Sequence, residues 1–315
     1  MKKRTDHNIG LVLSGGGING FSYLGVVSYL NDIQCLQDIN TFVGTSAGGF
    51  ICMLLALDLE LQNIVDICND IKFLQCFSDI TMNIDQMFNS YGIIDTLELK
   101  QMIEHLFMET HGDHGASLTM QQAYEATGKE CTVVSTDTNT MNPIYINHES
   151  HPDVKCVDAI LATCAIPFLF PAVPIRDIHN KTSLAIDGAF VDNFAYEYAM
   201  CHYGLKPYTL LSVCIHIEKS INNEINNQSL FSYINGILYL VSTCIVYHQF
   251  TQTNDPTICN LKLNTKLPIS NIVELNKHQH VIHDIIQEGY DVYSKYVRSL
   301  PNSIVTEYYF MDKYE

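Results

Sequence analysis

Gly44-Thr45-Ser46-Ala47-Gly48 constrains this chain more than any other stretch. Its G-x-S-x-G spacing is that of a nucleophile elbow, a serine on a sharp turn between a strand and a helix. The flanks fit that context. Thr41-Phe42-Val43 reads as a short buried strand, and Phe50 to Leu57 as a buried helix. A side chain at position 44 or 48 would collide across so tight a turn, and glycine tolerates the strained angles that push the serine outward. The amides that open the helix favour negative charge beside the serine.

Other segments extend the pattern. Ile9 to Leu13 is an apolar run ending in Ser14 and three glycines, and Phe21 to Leu30 follows it as a helix. Helical patterns recur at Ile64–Ile71, Leu97–Phe107, Val154–Thr163 and Leu275–Val297. Strands are expected at 131–135 and 143–146 around a polar turn, at 183–186, and at 209–217. Strands alternating with helices predict an α/β fold whose mainly parallel sheet is covered on both faces.

Composition narrows the function classes. Of 315 residues, 47% are hydrophobic and 16% charged, so a large core can form. The net charge of −17, from 34 acidic and 17 basic residues, argues against nucleic-acid binding and against charge-driven docking on anionic lipid. Eleven cysteines include no C-x-x-C pair, which points to reduced thiols without a zinc site. Lys2-Lys3-Arg4 has no apolar run behind it, so no signal peptide is read there. Leu230 to Phe250 lacks formal charge but is broken by polar residues, and reads as a buried or interface-facing helix rather than a span. The expected location is intracellular and cytoplasmic, with peripheral membrane association.

Two further groups can carry chemistry. Gly15-Gly16-Gly17-Ile18-Asn19-Gly20 fits a dinucleotide fingerprint, but the second strand ends in Gly44-Thr45-Ser46 without the carboxylate that would hold a ribose. Consecutive glycines at a helix start also present several amides to one point, which is how an oxyanion hole is built. Removing one donor from such a hole typically costs about 100- to 1000-fold in rate. For a base, Asp187 closes a strand before Gly188-Ala189, at the carboxyl edge where α/β active sites form. A triad would instead join Asp187 to a later histidine such as His216, His248 or His283.

Four blocks occur in order: the Gly15-Gly16-Gly17-x-x-Gly20 loop, the Gly44-x-Ser46-x-Gly48 elbow, Ala162-Thr163-Cys164-Ala165-Ile166-Pro167, and Asp187-Gly188-Ala189. Together they resemble the patatin-like phospholipase family. Ser135-Thr136-Asp137, Asn193 and Gln287-Glu288-Gly289-Tyr290 extend the likeness over residues 8–300, a single domain with 1–7 and 301–315 as terminal extensions. The resemblance implies a three-layer α/β/α fold and lipid acyl hydrolysis of phospholipase A type by a Ser46–Asp187 dyad. Ser46 would be the nucleophile, Asp187 the general base, and the Gly15–Gly17 amides the oxyanion donors. No histidine, metal or cofactor is required.

The implied partners are a phospholipid or other acyl lipid and a transiently contacted membrane surface. The resemblance leaves room for a protein activator and identifies none. Three positions depart from the family pattern: Asn19 where Arg or Lys is common, Ala189 for a common glycine, and Phe194-Ala195 where a proline is frequent. A Ser-His-Asp esterase and a non-catalytic lipid-binding protein are the competing expectations. Phe73-Leu74, Phe77, Met82, Met87-Phe88, Tyr91 and Phe231–Tyr247 are the candidates for an acyl groove or lid.

Overall fold

Ile9–Leu13 (β1) is buried at every position and lies mid-sheet, between Ile39–Thr45 (β2) and Leu210–Ile215 (β7). A computed structural model describes residues 8–76, 91–215, 257–264 and 279–300, with isolated positions between them. The terminal segments 1–7 and 301–315 lie outside the described residues. β1 runs parallel to both neighbours, pairing Val12 with Val43 and with Ser212. Glu130–Asp137 (β3) continues the parallel set beside β2, and Ile258–Leu261 (β8) continues it beside β7.

Side chains alternate between the two faces, as the period of two requires. Leu11, Leu13, Phe42, Val133, Leu211 and Val213 enter the larger core. There they meet Ser22–Asp32 (α1), Ala47–Ala56 (α2), Cys156–Thr163 (α7) and Gln279–Ser299 (α9). Val12, Val43, Val134, Leu210 and Cys214 enter the second core, against Tyr196, Ala199 and Tyr203 of Tyr196–Tyr203 (α8). The result is the three-layer α/β/α arrangement expected from the sequence. α1 and α9 cross closely because small residues face each other: a Cβ on Gly25 would lie 2.0 Å from the Ile286 carbonyl oxygen, and one on Gly289 2.1 Å from that of Ser22. Leu61–Asn69 (α3), Ile71–Gln75 (α4) and Leu97–His111 (α5) pack around the larger core.

Several elements escaped the sequence patterns. Met120–Thr127 is a helix started by a capping box between Thr119 and Gln122 and stopped at Gly128, which is left-handed at φ 68°. α8, β8 and Val173–Arg176 (β5) are too short to show a period. The long C-terminal helix begins among the described residues at Gln279, so its expected start at 275 lies outside them. Among the described residues no helix is long and apolar enough to cross a membrane.

One expectation needs correction. Thr182–Asp187 (β6) is antiparallel to β3. Asp187 therefore does not reach the carboxyl edge as the end of a parallel strand. Pro143–Ile146 (β4) pairs with β3 over residues 133–136, so it occupies one edge of that strand. β2 pairs with residues 130–134 and β6 with 135–137, so these two share the other edge. They meet head-on. Thr45 pairs with Val134, and Asp187 pairs with the next residue, Ser135. Periodicity is silent on strand direction, which is why the sequence did not reveal this.

Candidate active site

Ser46 sits between β2 and α2 with φ 52° and ψ −125°, a region that residues with a Cβ rarely occupy. Its carbonyl already accepts the first helical bond, from Phe50 N–H at 2.9 Å. The elbow glycines are dictated by contact. A Cβ on Gly44 would lie 2.5 Å from the Gly48 backbone, and one on Gly48 2.5 Å from the carbonyl oxygens of Leu13 and Ser14. The Ser46 N–H donates to Thr163 Oγ1 at 2.9 Å, and the Thr163 hydroxyl donates in turn to the Val134 carbonyl. Helix α7 thus ties the strained residue to β3.

Ser46 Oγ donates to Asp187 Oδ2 at 2.7 Å, across 141 positions of sequence. The head-on meeting of β2 and β6 brings them together. Asp187 is held on every side. Oδ1 accepts from Ala189 N–H at 2.9 Å, its own N–H donates to Ala165 O at 2.9 Å, and its carbonyl accepts from Thr136 Oγ1 at 3.0 Å. Gly188 rests against Val134, where a Cβ would come within 2.3 Å of the carbonyl oxygen. Burial raises the Asp187 carboxyl to about 6, against the pull of the bonds from Ala189 and Ser46. A carboxylate at that value is still mostly ionised at neutral pH, and it is a stronger base than an exposed one.

The glycine loop lies beside the elbow. A Cβ on Gly15 would be 3.3 Å from Ser46 Cβ and 2.3 Å from Asn193 Oδ1, and one on Gly20 would be 2.4 Å from Ala47 Cβ. Gly17, at φ 53°, opens a 3₁₀ turn through Phe21. The Gly15 N–H is committed to the Asn193 carbonyl at 3.1 Å. Among the described residues nothing accepts from the N–H of Gly16 or Gly17. Asn19 donates its N–H to the Gly16 carbonyl at 3.1 Å.

Beside Ser46 opens a cavity of about 770 Å³, counted out to its mouth. Phe50, Phe73, Leu99, Ile103, Ile160 and Leu161 form much of its wall, and among the described residues no charged side chain or histidine lines it. Its apolar lining suits a hydrocarbon chain. Cys164 also lines it, but burial and the Asp187 carboxylate hold that thiol well above its ordinary range, so it stays protonated.

The model of the patatin-like phospholipases matches residues 11–200, which include both the elbow and Asp187. The chain belongs to the patatin-like phospholipase family. It is 27% identical over 207 residues to the probable lipid hydrolase 463L of Invertebrate iridescent virus 6, a match covering 62% of this chain and 64% of the viral protein. It is 30% identical over 195 residues to triacylglycerol lipase 4 of Saccharomyces cerevisiae, covering 57% of this chain and 20% of the yeast protein. The chain thus spans less than two thirds of either relative. In fold it is similar to VipD from Legionella pneumophila, with a TM-score of 0.57 at 14% identity over 94% of this chain and 67% of that one.

Of the histidine candidates for this patatin-like site, one lies among the described residues. His283 is exposed on α9, while His216 and His248 lie outside the described residues. No described histidine bonds to Ser46 or Asp187. Of the expected groove residues, Phe73 lines the cavity, Leu74 is buried in the core, and Tyr91 is exposed. Phe77, Met82, Met87, Phe88 and all but scattered positions of 231–247 lie outside the described residues. Thr163 and Asn193 gained their contacts only in three dimensions. The signal for each was its place in the family likeness, Thr163 within the Ala162–Pro167 block and Asn193 downstream of Asp187-Gly188.

Proposed function

We propose that this chain hydrolyses fatty-acyl esters of lipids through an acyl-serine on Ser46, with Asp187 as general base. The observation that carries this reading is the 2.7 Å bond between Ser46 Oγ and Asp187 Oδ2 beside an apolar cavity. Residues 8–300 act as one catalytic domain.

The acyl chain enters the cavity and sets its ester carbonyl against Ser46. Asp187 takes the hydroxyl proton as Oγ bonds to the carbonyl carbon. The resulting oxyanion is held by the free amides of Gly16 and Gly17, with the positive end of α2 adding to the field. Collapse breaks the bond to the alcohol, which leaves with the proton from Asp187. Water then gives a proton to Asp187 and attacks the acyl-serine. The fatty acid departs and Ser46 recovers its proton. The commitment of Gly15 N–H to Asn193 narrows the donor set to Gly16 and Gly17.

The substrate class is a glycerolipid acyl ester, cleaved at a transiently contacted lipid surface. The test is a panel of phospholipids and triacylglycerols with product identification, together with fluorophosphonate labelling. Fatty-acid release and labelling are expected for the parent protein, and neither for Ser46→Ala. Release by Ser46→Ala at the parent rate would refute the assignment.

A further inference from the structure

We propose that Tyr91 and Phe168 are the docking point by which the cavity mouth seats on a lipid surface carrying no net charge. The proposal rests on the acyl-hydrolase reading and names its physical partner.

Both aromatics face water, at 58% and 44% exposure. Both have positive φ, 65° and 67°, where bulky residues are genuine outliers. Such conformations persist only where the surroundings impose them, and they cluster at ligand clamps. Here the two are locked together. Gly92 bridges to Phe168, Ile93 N–H donates to the Phe168 carbonyl at 3.2 Å, and Ile94 N–H to that of Leu169 at 2.9 Å. A Cβ on Gly92 would lie 2.3 Å from the Phe170 carbonyl carbon. The Tyr91 segment is therefore pressed onto the loop that carries Phe168.

That same loop walls the cavity. Ile166 and Phe170 line it, while Phe168 between them turns outward. One short loop thus presents one aromatic to solvent and two apolar side chains to the acyl site. An apolar anchor continuous with an acyl cavity fits a surface that supplies acyl chains. Tyrosine in particular suits a boundary between water and hydrocarbon.

Charge selects which surface. Exposed Asp95 and Glu98 follow directly on the paired segment, and the whole chain carries −17. An anionic membrane would repel this face. A zwitterionic or neutral lipid surface would not.

The test uses Tyr91→Asn with Phe168→Asn, because asparagine tolerates positive φ and preserves the backbone. Phosphatidylcholine vesicles and a soluble ester, p-nitrophenyl butyrate, are the probes. Vesicle co-sedimentation and vesicle-lipid hydrolysis are expected to fall about tenfold or more, as loss of two anchoring aromatics implies. Hydrolysis of the soluble ester is expected to stay within about twofold. Parent binding is expected to weaken as phosphatidylglycerol is added. Undiminished co-sedimentation of the double variant, an equal loss on the soluble ester, or parent binding that rises with anionic lipid would each overturn the proposal. Should the asparagine pair fail to fold, the glycine pair, suited to the same backbone, gives the same comparison. A parent protein that binds vesicles but cleaves no ester would refute the hydrolase reading and leave the docking result to be judged on co-sedimentation alone.

Discussion

Asp187→Asn separates what this residue does for chemistry from what it costs the fold. Burial raises its carboxyl from 3.8 to about 6. At about 1.4 kcal/mol per pH unit, that difference corresponds to about 3 kcal/mol. The folded protein binds this proton more tightly than the unfolded chain does. Between about pH 4 and 6 the folded state therefore retains a proton that the unfolded state releases, and stability falls as pH rises through that window. Above about pH 6 the full cost is present; below about pH 4 both states are protonated and it vanishes. Asparagine carries no charge. Its oxygen can still accept from Ala189, and its amide can donate to Ser46. Asp187→Asn should thus gain about 2–3 kcal/mol at pH 7, a rise in Tm on the order of 5 °C, and almost nothing at pH 4. Hydrolysis of a soluble ester should fall about 100-fold or more, and in the parent kcat/KM should rise with pH to a plateau with a midpoint near 6. Thermal unfolding at the two pH values and the ester assay check these outcomes. Equal stability of the two proteins at pH 7, or an equal gain at both pH values, would refute the desolvated-carboxylate account. Retained activity would refute the role as base.

Three further outcomes follow from the same geometry. Ser46→Gly and Ser46→Ala should both be inactive, but the glycine variant should be the more stable by about 1–3 kcal/mol in denaturant unfolding, because it relieves the positive φ. Thr163→Val should leave the buried Ser46 N–H without an acceptor, costing about 1–3 kcal/mol and lowering kcat more than it raises KM, while Thr163→Ser should restore both. Leu161→Trp, which fills the cavity, should cut the rate on a palmitoyl ester relative to a butyryl ester by about tenfold or more in parallel kinetic assays.

The elbow was legible in the sequence because its determinants are local. Gly44 and Gly48 are fixed by backbone contacts within one tight turn and its supporting strand, so the residue types advertise the geometry. The runs at 9–13 and 41–43 likewise announced buried strands, and their alternation with helices announced the layered fold. Other features were illegible for equally physical reasons. α8 and β8 are too short for a periodic signal. The cavity wall at Leu99, Ile103, Ile160 and Leu161 looks in sequence like ordinary helix packing, because a side chain facing a void and one facing a neighbour are chosen from the same apolar set.

The sequence by itself determined a serine elbow, a glycine loop and a carboxylate in a fixed order, and hence the family. Only the tertiary structure decided how they meet. β6 enters antiparallel along the same edge of β3 that β2 has just left, and this places Asp187 against Ser46. It decided that Asn193 engages Gly15, that Thr163 holds the elbow, and that the Asp187 carboxyl is buried and raised to about 6. Strand direction, edge sharing and desolvation depend on which distant segments pack together, and no local pattern of side chains records that.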